Sequence, residues 1–407
     1  MSSLGQRRVG LGDVDPTGSR HLGRRSAVSI HDDRIVVGTA AGEVVAFDAD
    51  LTEQWCDPGR DSAGSLVSIS THNGNILVGE RGPRGAVRCH DGSTGELQWR
   101  YETAEDIGNP QKETRFFLPF VADIVTDGER GYVTARRYER RDGERRFRSF
   151  VYAFEPDGEV AWRYETDASP ISLDVRDDRL AVAFNRCPGA HQCGLVVLDA
   201  DAGTERLTWD PGTAGQRRVG DVSLLDDGVA LASHGDYHGY RLDDRGRECW
   251  RVPLATPETV DGERVYAYPN HVHTTESGIA FVTGNTYPEE GRETEARHPN
   301  EHTAVGVTPG GERTWRESVG GFATGIGTNG DLLVVPGAQH FRDRDADAHG
   351  FCVFGVADGP VSSADTEGVV AAAALGDEFV AAVEEPVAYH DEHERRGAYR
   401  LHVEELQ

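Results

Sequence analysis

Sixteen histidines stand in this 407-residue chain, and their spacing is the first feature with chemical content. The run Asn270-His271-Val272-His273 puts His271 and His273 on one side of an extended strand, because side chains alternate there. His234, Asp236 and His238 repeat that spacing, and His298 and His302 follow in the same stretch as the first pair. Imidazole nitrogens with a carboxylate suit zinc, manganese or iron. These seven residues are therefore candidate ligands of a divalent metal. The other reading is a set of solvated polar loops in which histidine is used where lysine is avoided.

Two further groups are candidates. Cys187 and Cys193 enclose a short Pro-Gly-Ala-His-Gln run with His191 inside it. They suit a metal, a loop-closing disulfide, or a pair of inert, partly buried thiols. The segment 136–148 carries Arg136, Arg137, Arg140, Arg141, Arg145, Arg146 and Arg148 with Tyr138 and Phe147. Such a stretch suits nucleic-acid phosphates, but phosphate affinity falls steeply with salt. Bidentate arginine contacts to carboxylates depend on geometry at contact and survive salt better. An acidic protein partner is the expectation, set against a solvated hairpin tip with its own Glu and Asp counter-charges.

The elements that must position these groups are strands. Trp55, Trp99, Trp162, Trp209, Trp250 and Trp315 lie 44, 63, 47, 41 and 65 residues apart. The short steps match the period of about 40–45 residues of a four-stranded propeller blade. Each Trp closes one pattern of apolar strand, tight turn, second strand and polar turn, as in 34–55 and 75–99. Strands rich in Val, Ile, Phe and Tyr alternate with Gly, Asp and Asn turns, which is antiparallel hairpin chemistry. No long helical periodicity interrupts them. The reading is an all-β fold, an eight-bladed β-propeller of four-stranded antiparallel blades, with seven blades as the alternative. First strands are expected near Val28, Val67, Val121, Ile171, Val222, Val272, Ala323 and Val369. The chain 1–407 is read as one propeller. Its N-terminal segment 1–26 is expected to supply the outer strand of the last blade, which runs out of chain after three strands. The tryptophans are read as structural, wedged between neighbouring blades.

The closing pattern, best seen in Asp91-Gly-Ser-Thr-Gly-Glu-Leu-Gln-Trp99, resembles the pyrroloquinoline-quinone-type (PQQ-like) propeller repeat. Gly stands four residues before the Trp at Gly95, Gly158, Gly246 and Gly311. That family includes the quinoprotein alcohol dehydrogenases and the propellers that assist outer-membrane protein assembly. The resemblance implies the fold. It implies a quinone with calcium only for the dehydrogenase branch, whose adjacent-cysteine pair this sequence lacks, so PQQ is not expected.

The connections between second and third strands are long and rich in histidine, at 185–193, 233–239, 284–303, 336–350 and 384–397, whereas the opposite turns are tight. Long loops carry function more often than stability, so the histidine- and arginine-rich rim is the expected working face. A net charge of −27, with Lys112 as the single lysine, resembles the composition of salt-adapted archaeal proteins. No apolar run long enough to span a bilayer follows the N-terminal arginines, and a cytoplasmic location without membrane attachment is expected. No P-loop, nucleophile elbow, HExxH or dinucleotide fingerprint occurs. The functional expectation is a monomeric, non-enzymatic propeller that binds a protein partner, not a nucleic acid. A metal-dependent hydrolase or lyase and a quinoprotein-like oxidoreductase are the alternatives.

Overall fold

The computed structural model describes residues 7–18, 23–31, 34–59, 64–291, 293–337, 348–389 and 395–406. The chain forms two compact units, one of 25–48 and 52–226, the other of 1–24, 49–51 and 227–407. Both are built from antiparallel strands. The single helix among the described residues is one turn, Ala104–Ile107, and none is long and apolar enough to cross a membrane.

In the 25–226 unit the chain lays down strands in order, each sheet finished before the next begins. The first sheet runs Ala27–His31, Arg34–Gly38, Val44–Asp48, Glu53–Asp57. Ser65–His72, Asn75–Arg81, Ala86–Asp91 and Leu97–Glu102 form the second. Phe120–Thr126, Gly131–Arg141, Glu144–Phe154 and Val160–Thr166 form the third, joined to the second through the single pair Phe120 and Arg81. Ser169–Arg176, Arg179–Arg186, Leu195–Asp199 and Glu205–Trp209 follow, and Val219–Leu225 ends the unit. Second strands such as Arg179–Arg186 are buried on both faces and read as continuous apolar runs, Leu-Ala-Val-Ala-Phe. Fourth strands such as Val160–Thr166 alternate between half-buried and exposed, as expected of an outer edge with one face in water.

The 227–407 unit continues the pattern from Gly228–Ser233. One sheet gains a fifth strand, Glu258–Val260, ahead of the long strand Glu263–Thr274. Residues 251–270 are therefore largely strand. The next sheet begins at Gly327–Asn329 rather than at Ala323. Glycines at 320, 321, 325 and 327 make an extended start at Ala323 costly in chain entropy. In the last sheet Arg7–Gly10 lies outermost, antiparallel to Arg400–Glu405, with Arg7 opposite Val403 and Gly10 opposite Arg400. Glu384 is buried in that sheet; its carboxylate accepts the Gly368 and Ala398 amides and holds His402 Nε2 at 2.6 Å. Burial would raise its pKa, but the contact with His402 brings it below the ordinary value.

Two side-chain devices join successive sheets. The first uses the tryptophans. Trp55, Trp99 and Trp162 each donate Nε1–H to a carbonyl of the next sheet's outer turn, those of Gly92, Pro156 and Ala200. Trp250 and Trp315 do the same to Pro309 and Val356. Each ring lies flat on a glycine with positive φ in that turn, at Gly95, Gly158, Gly203, Gly311 and Gly359. A Cβ on any of these would meet the ring at 2.5–3.1 Å. Gly203 and Gly359 break the four-residue spacing in sequence yet occupy the same place in space.

The second device serves the first strands, which face the next sheet without a backbone ladder between them and need partners for their polar edges. Ser68 Oγ donates to the Val121 carbonyl, and Asp123 Oδ2 accepts the Leu173 amide at 2.9 Å. Asp174 Oδ2 accepts the Leu224 amide at 2.6 Å. Burial holds the Asp174 carboxyl up at about 6, with Asp221 adding to the effect.

Candidate functional site

The structure assigns His271 and His273 to this stapling work. His271 and His273 do share one side of their strand, and both meet the following segment: Nε2 of His271 lies 3.1 Å from the Ala323 carbonyl and Nε2 of His273 lies 3.0 Å from that of Gly330. His298 is buried, with Nε2 bonded to the Thr256 carbonyl at 3.0 Å and Nδ1 accepting the Asn300 amide. His302 Nε2 meets Asn285 Oδ1 at 2.8 Å, and His234 Nε2 meets Asn270 Oδ1 at 3.2 Å. Among the described residues no three His, Cys, Asp or Glu side chains are gathered as metal ligands. The seven candidates are thus not gathered into one ligand set: Asp236 meets His238, while carbonyls and amides engage the other imidazoles. The expectations for His340, His390 and His393 lie outside the described residues.

Cys187 and Cys193 are both free thiols. Cys187 Sγ donates to the Cys193 carbonyl, and His191 Nε2 faces that same oxygen at 2.9 Å. Burial pushes the Cys187 thiol up to about 12 and lowers the pKa of His191. A protonated thiol is a poor ligand and a poor nucleophile. The loop is braced instead by Asp167, which accepts the Ala190 and His191 amides.

The arginine segment is not a loop. It is the far end of a two-stranded ribbon closed by Asp142 and Gly143, both at positive φ. Inner pairing stops at Arg136 and outer pairing at Ser149, so 137–148 is laddered only to itself. Alternation gives the ribbon two faces. On one, Arg137, Glu139 and Arg141 oppose Arg148, Arg146 and Glu144, and Glu139 bridges Arg137 at 3.0 Å and Arg141 at 3.3 Å. On the other, Tyr138 packs on Phe147 with centroids 5.6 Å apart, extended by Phe117 at 5.0 Å. Arg136 lies over Phe120 and Phe147, and Arg81 over Phe120 at 3.8 Å. Arg140, Arg145 and Arg146 are exposed, and among the described residues none of them has a carboxylate in ion-pair contact. Phe116 beside the ribbon is 76% exposed.

A second ribbon was not foreseen. Glu263–Thr274 and Ile279–Pro288 pair beyond their sheet, with Tyr266 opposite Tyr287. Tyr237, from the preceding sheet's loop, packs on Tyr266 with centroids 4.4 Å apart; Tyr268 lies 5.4 Å from Tyr266 and 5.3 Å from Tyr287. Below Tyr237, the Asp236 carboxylate accepts the Tyr240 hydroxyl and contacts His238 Nδ1 at 3.4 Å. The hydrogen bond to Asp236 raises the His238 pKa. The signal was present in Tyr266-Ala-Tyr268, where tyrosines two apart share a strand face, but the histidines beside them drew the reading.

With this geometry in hand, the relatives can be compared. The family model for the outer membrane protein assembly factor BamB matches residues 41–223, a little under half of the chain. The crystal structure of BamB from Moraxella catarrhalis superposes with a TM-score of 0.56 at 14% identity, covering 92% of each chain. The chain has a β-propeller fold, and its residues 41–223 are similar to the BamB family. Quinohemoprotein alcohol dehydrogenases share the fold: that of Comamonas testosteroni has a TM-score of 0.59 at 11% identity, over 94% of this chain and 76% of the enzyme. ADHIIG of Pseudomonas putida HK5 has 0.60 at 11%, over 96% and 76%. No curated protein sequence matches this one.

The sequence resemblance implies a quinone with calcium for the dehydrogenase branch only. The described residues do not fit the quinone and calcium. None of the six cysteines is adjacent to another, all are free, and no carboxylate set is gathered for a cation.

Proposed function

We propose that this PQQ-like propeller is a non-enzymatic protein-interaction scaffold and that the 137–148 ribbon docks an acidic partner. The carrying observation is the ribbon itself: it continues past both neighbouring strands, where it adds nothing to the sheet, and among the described residues displays three exposed arginines without carboxylate partners beside a packed Tyr138–Phe147 pair. Arginine forks pair with carboxylates in two parallel hydrogen bonds, and aromatic rings give contact area at low entropy cost. Both terms act at contact range, which suits a chain whose composition points to a salt-rich setting, where the Debye length is about 3 Å at molar salt. One of the similar proteins is described as an assembly factor, which supports an interaction role.

Reversing Arg140, Arg145 and Arg146 to Glu together should weaken binding of a Glu- and Asp-rich peptide about tenfold or more in molar salt, read by fluorescence anisotropy. The unfolding midpoint should stay within a degree or two, since exposed charges contribute little to stability. Unchanged affinity in the folded triple variant would remove the ribbon from the proposal.

A further inference from the structure

We propose a second binding surface of opposite chemistry: the tyrosine face formed by Tyr237, Tyr266, Tyr268 and Tyr287 receives an arginine-bearing segment of a partner protein. It goes beyond the arginine ribbon and uses other residues. The Glu263–Pro288 ribbon buries one face through Val265, Ala267, Pro269 and Thr286, and leaves the tyrosine face in contact with solvent, Tyr287 being 38% exposed. Folding requires the first face and has no use for four clustered rings on the second. Tyr237 is held there at φ +67 while its carbonyl accepts the Leu254 and Ala255 amides. A bulky residue kept in the left-handed region is retained where the position has a task.

The occupant follows from charge. Glu258, Asp261, Glu263, Glu290, Glu293 and Glu295 are all exposed in the segments flanking the tyrosines. Among the described residues Arg264 is matched by Glu289 at 2.7 Å, and the imidazoles of His238 and His298 lie 3.4 Å from Asp236 and 3.9 Å from Glu258. The face therefore joins electron-rich rings to a surround rich in exposed carboxylates. A cation over a tyrosine ring is attracted by its quadrupole. Guanidinium is favoured over ammonium because it is planar, weakly hydrated and stacks on aromatic faces. Such stacking holds in salt that screens a simple ion pair.

The test uses the full chain and three short Gly-Ser peptides carrying three Arg, three Lys or three Gln, titrated by calorimetry in molar salt. The Arg peptide should bind tightest and the Gln peptide not measurably. The Tyr266→Ala/Tyr287→Ala variant should lose affinity about tenfold or more, while Tyr266→Phe/Tyr287→Phe, which keeps the rings, should retain most of it. Reversing Arg140, Arg145 and Arg146 should leave this binding unchanged, so that the two surfaces fail or stand separately. Equal binding of the Gln peptide, absence of binding by the Arg peptide, or full affinity in a folded Tyr266→Ala/Tyr287→Ala variant would overturn the assignment.

Discussion

Replacing Trp55 by alanine should lower the unfolding free energy by about 3–5 kcal/mol, the range for removing a buried large aromatic side chain. The indole is 8% exposed and packs with Val36, Val44, Ala46, Ile76 and Val78. Its Nε1 donates to the Gly92 carbonyl at 3.1 Å, and its ring covers Gly95 of the next sheet. Alanine leaves a void at a sheet-to-sheet contact and an acceptor without its donor. Trp55→Phe keeps most of the apolar filling and loses the N–H, so it should cost about 1–2 kcal/mol. Gly95→Ala attacks the same contact from the other side. Its φ of +75° disfavours any Cβ, and the new atom would meet the ring at 2.5 Å; a loss of about 2–4 kcal/mol is expected. In the double variant the methyl can enter the space the indole vacates. The combined loss should then fall short of the sum by at least about 1 kcal/mol, as coupled neighbours do. Urea unfolding of the four proteins measures all of this. A Trp55→Ala loss below about 1 kcal/mol, or strict additivity, would show that the ring does not bear on Gly95.

The alternation of apolar strands with Gly- and Asp-rich turns, and the tryptophan spacing, were enough to read an all-β propeller from composition and order alone. Both are local signals: a hairpin is encoded by its turn, and a blade by a repeat of hairpins. The site was less legible, for a physical reason. Whether His271 is a ligand or a staple depends on what stands opposite it, and Ala323 and Gly330 are 52 and 57 residues beyond His271 and His273. The arginine segment is legible by residue type, but its polar residues mask the two-residue period that Tyr138 and Phe147 reveal once paired. Gly203 and Gly359 escaped because turn length varies while the place beneath the indole does not.

The inner-strand aspartates carry the second large effect, which concerns pH. Between pH 4 and pH 6 the native chain should lose about 2 kcal/mol of stability through Asp174 alone. Its carboxyl sits at about 6 in the folded chain, against an ordinary 3.8, because burial and the neighbouring Asp221 disfavour its charge. Below pH 4 the group is protonated in folded and unfolded chains alike, and its favourable contribution is complete. Above that the unfolded chain releases the proton freely while the folded chain resists, so stability falls until pH passes 6. The shift corresponds to about 3 kcal/mol at 1.36 per unit, and partial solvent contact at Asp174 reduces it to about 2. Asp174→Asn removes the charge and keeps an oxygen for the Leu224 amide. It should be more stable than the native chain by about 2 kcal/mol at pH 7 and nearly equal to it at pH 4. Asp174→Ala strands that amide and should show no such gain. Other carboxylates titrate in the same window, so the informative quantity is the difference between native and Asn curves. A difference that stays flat from pH 4 to pH 8 would mean that Asp174 is ionised without penalty, and that the inner strands tolerate a full negative charge where the staple lies.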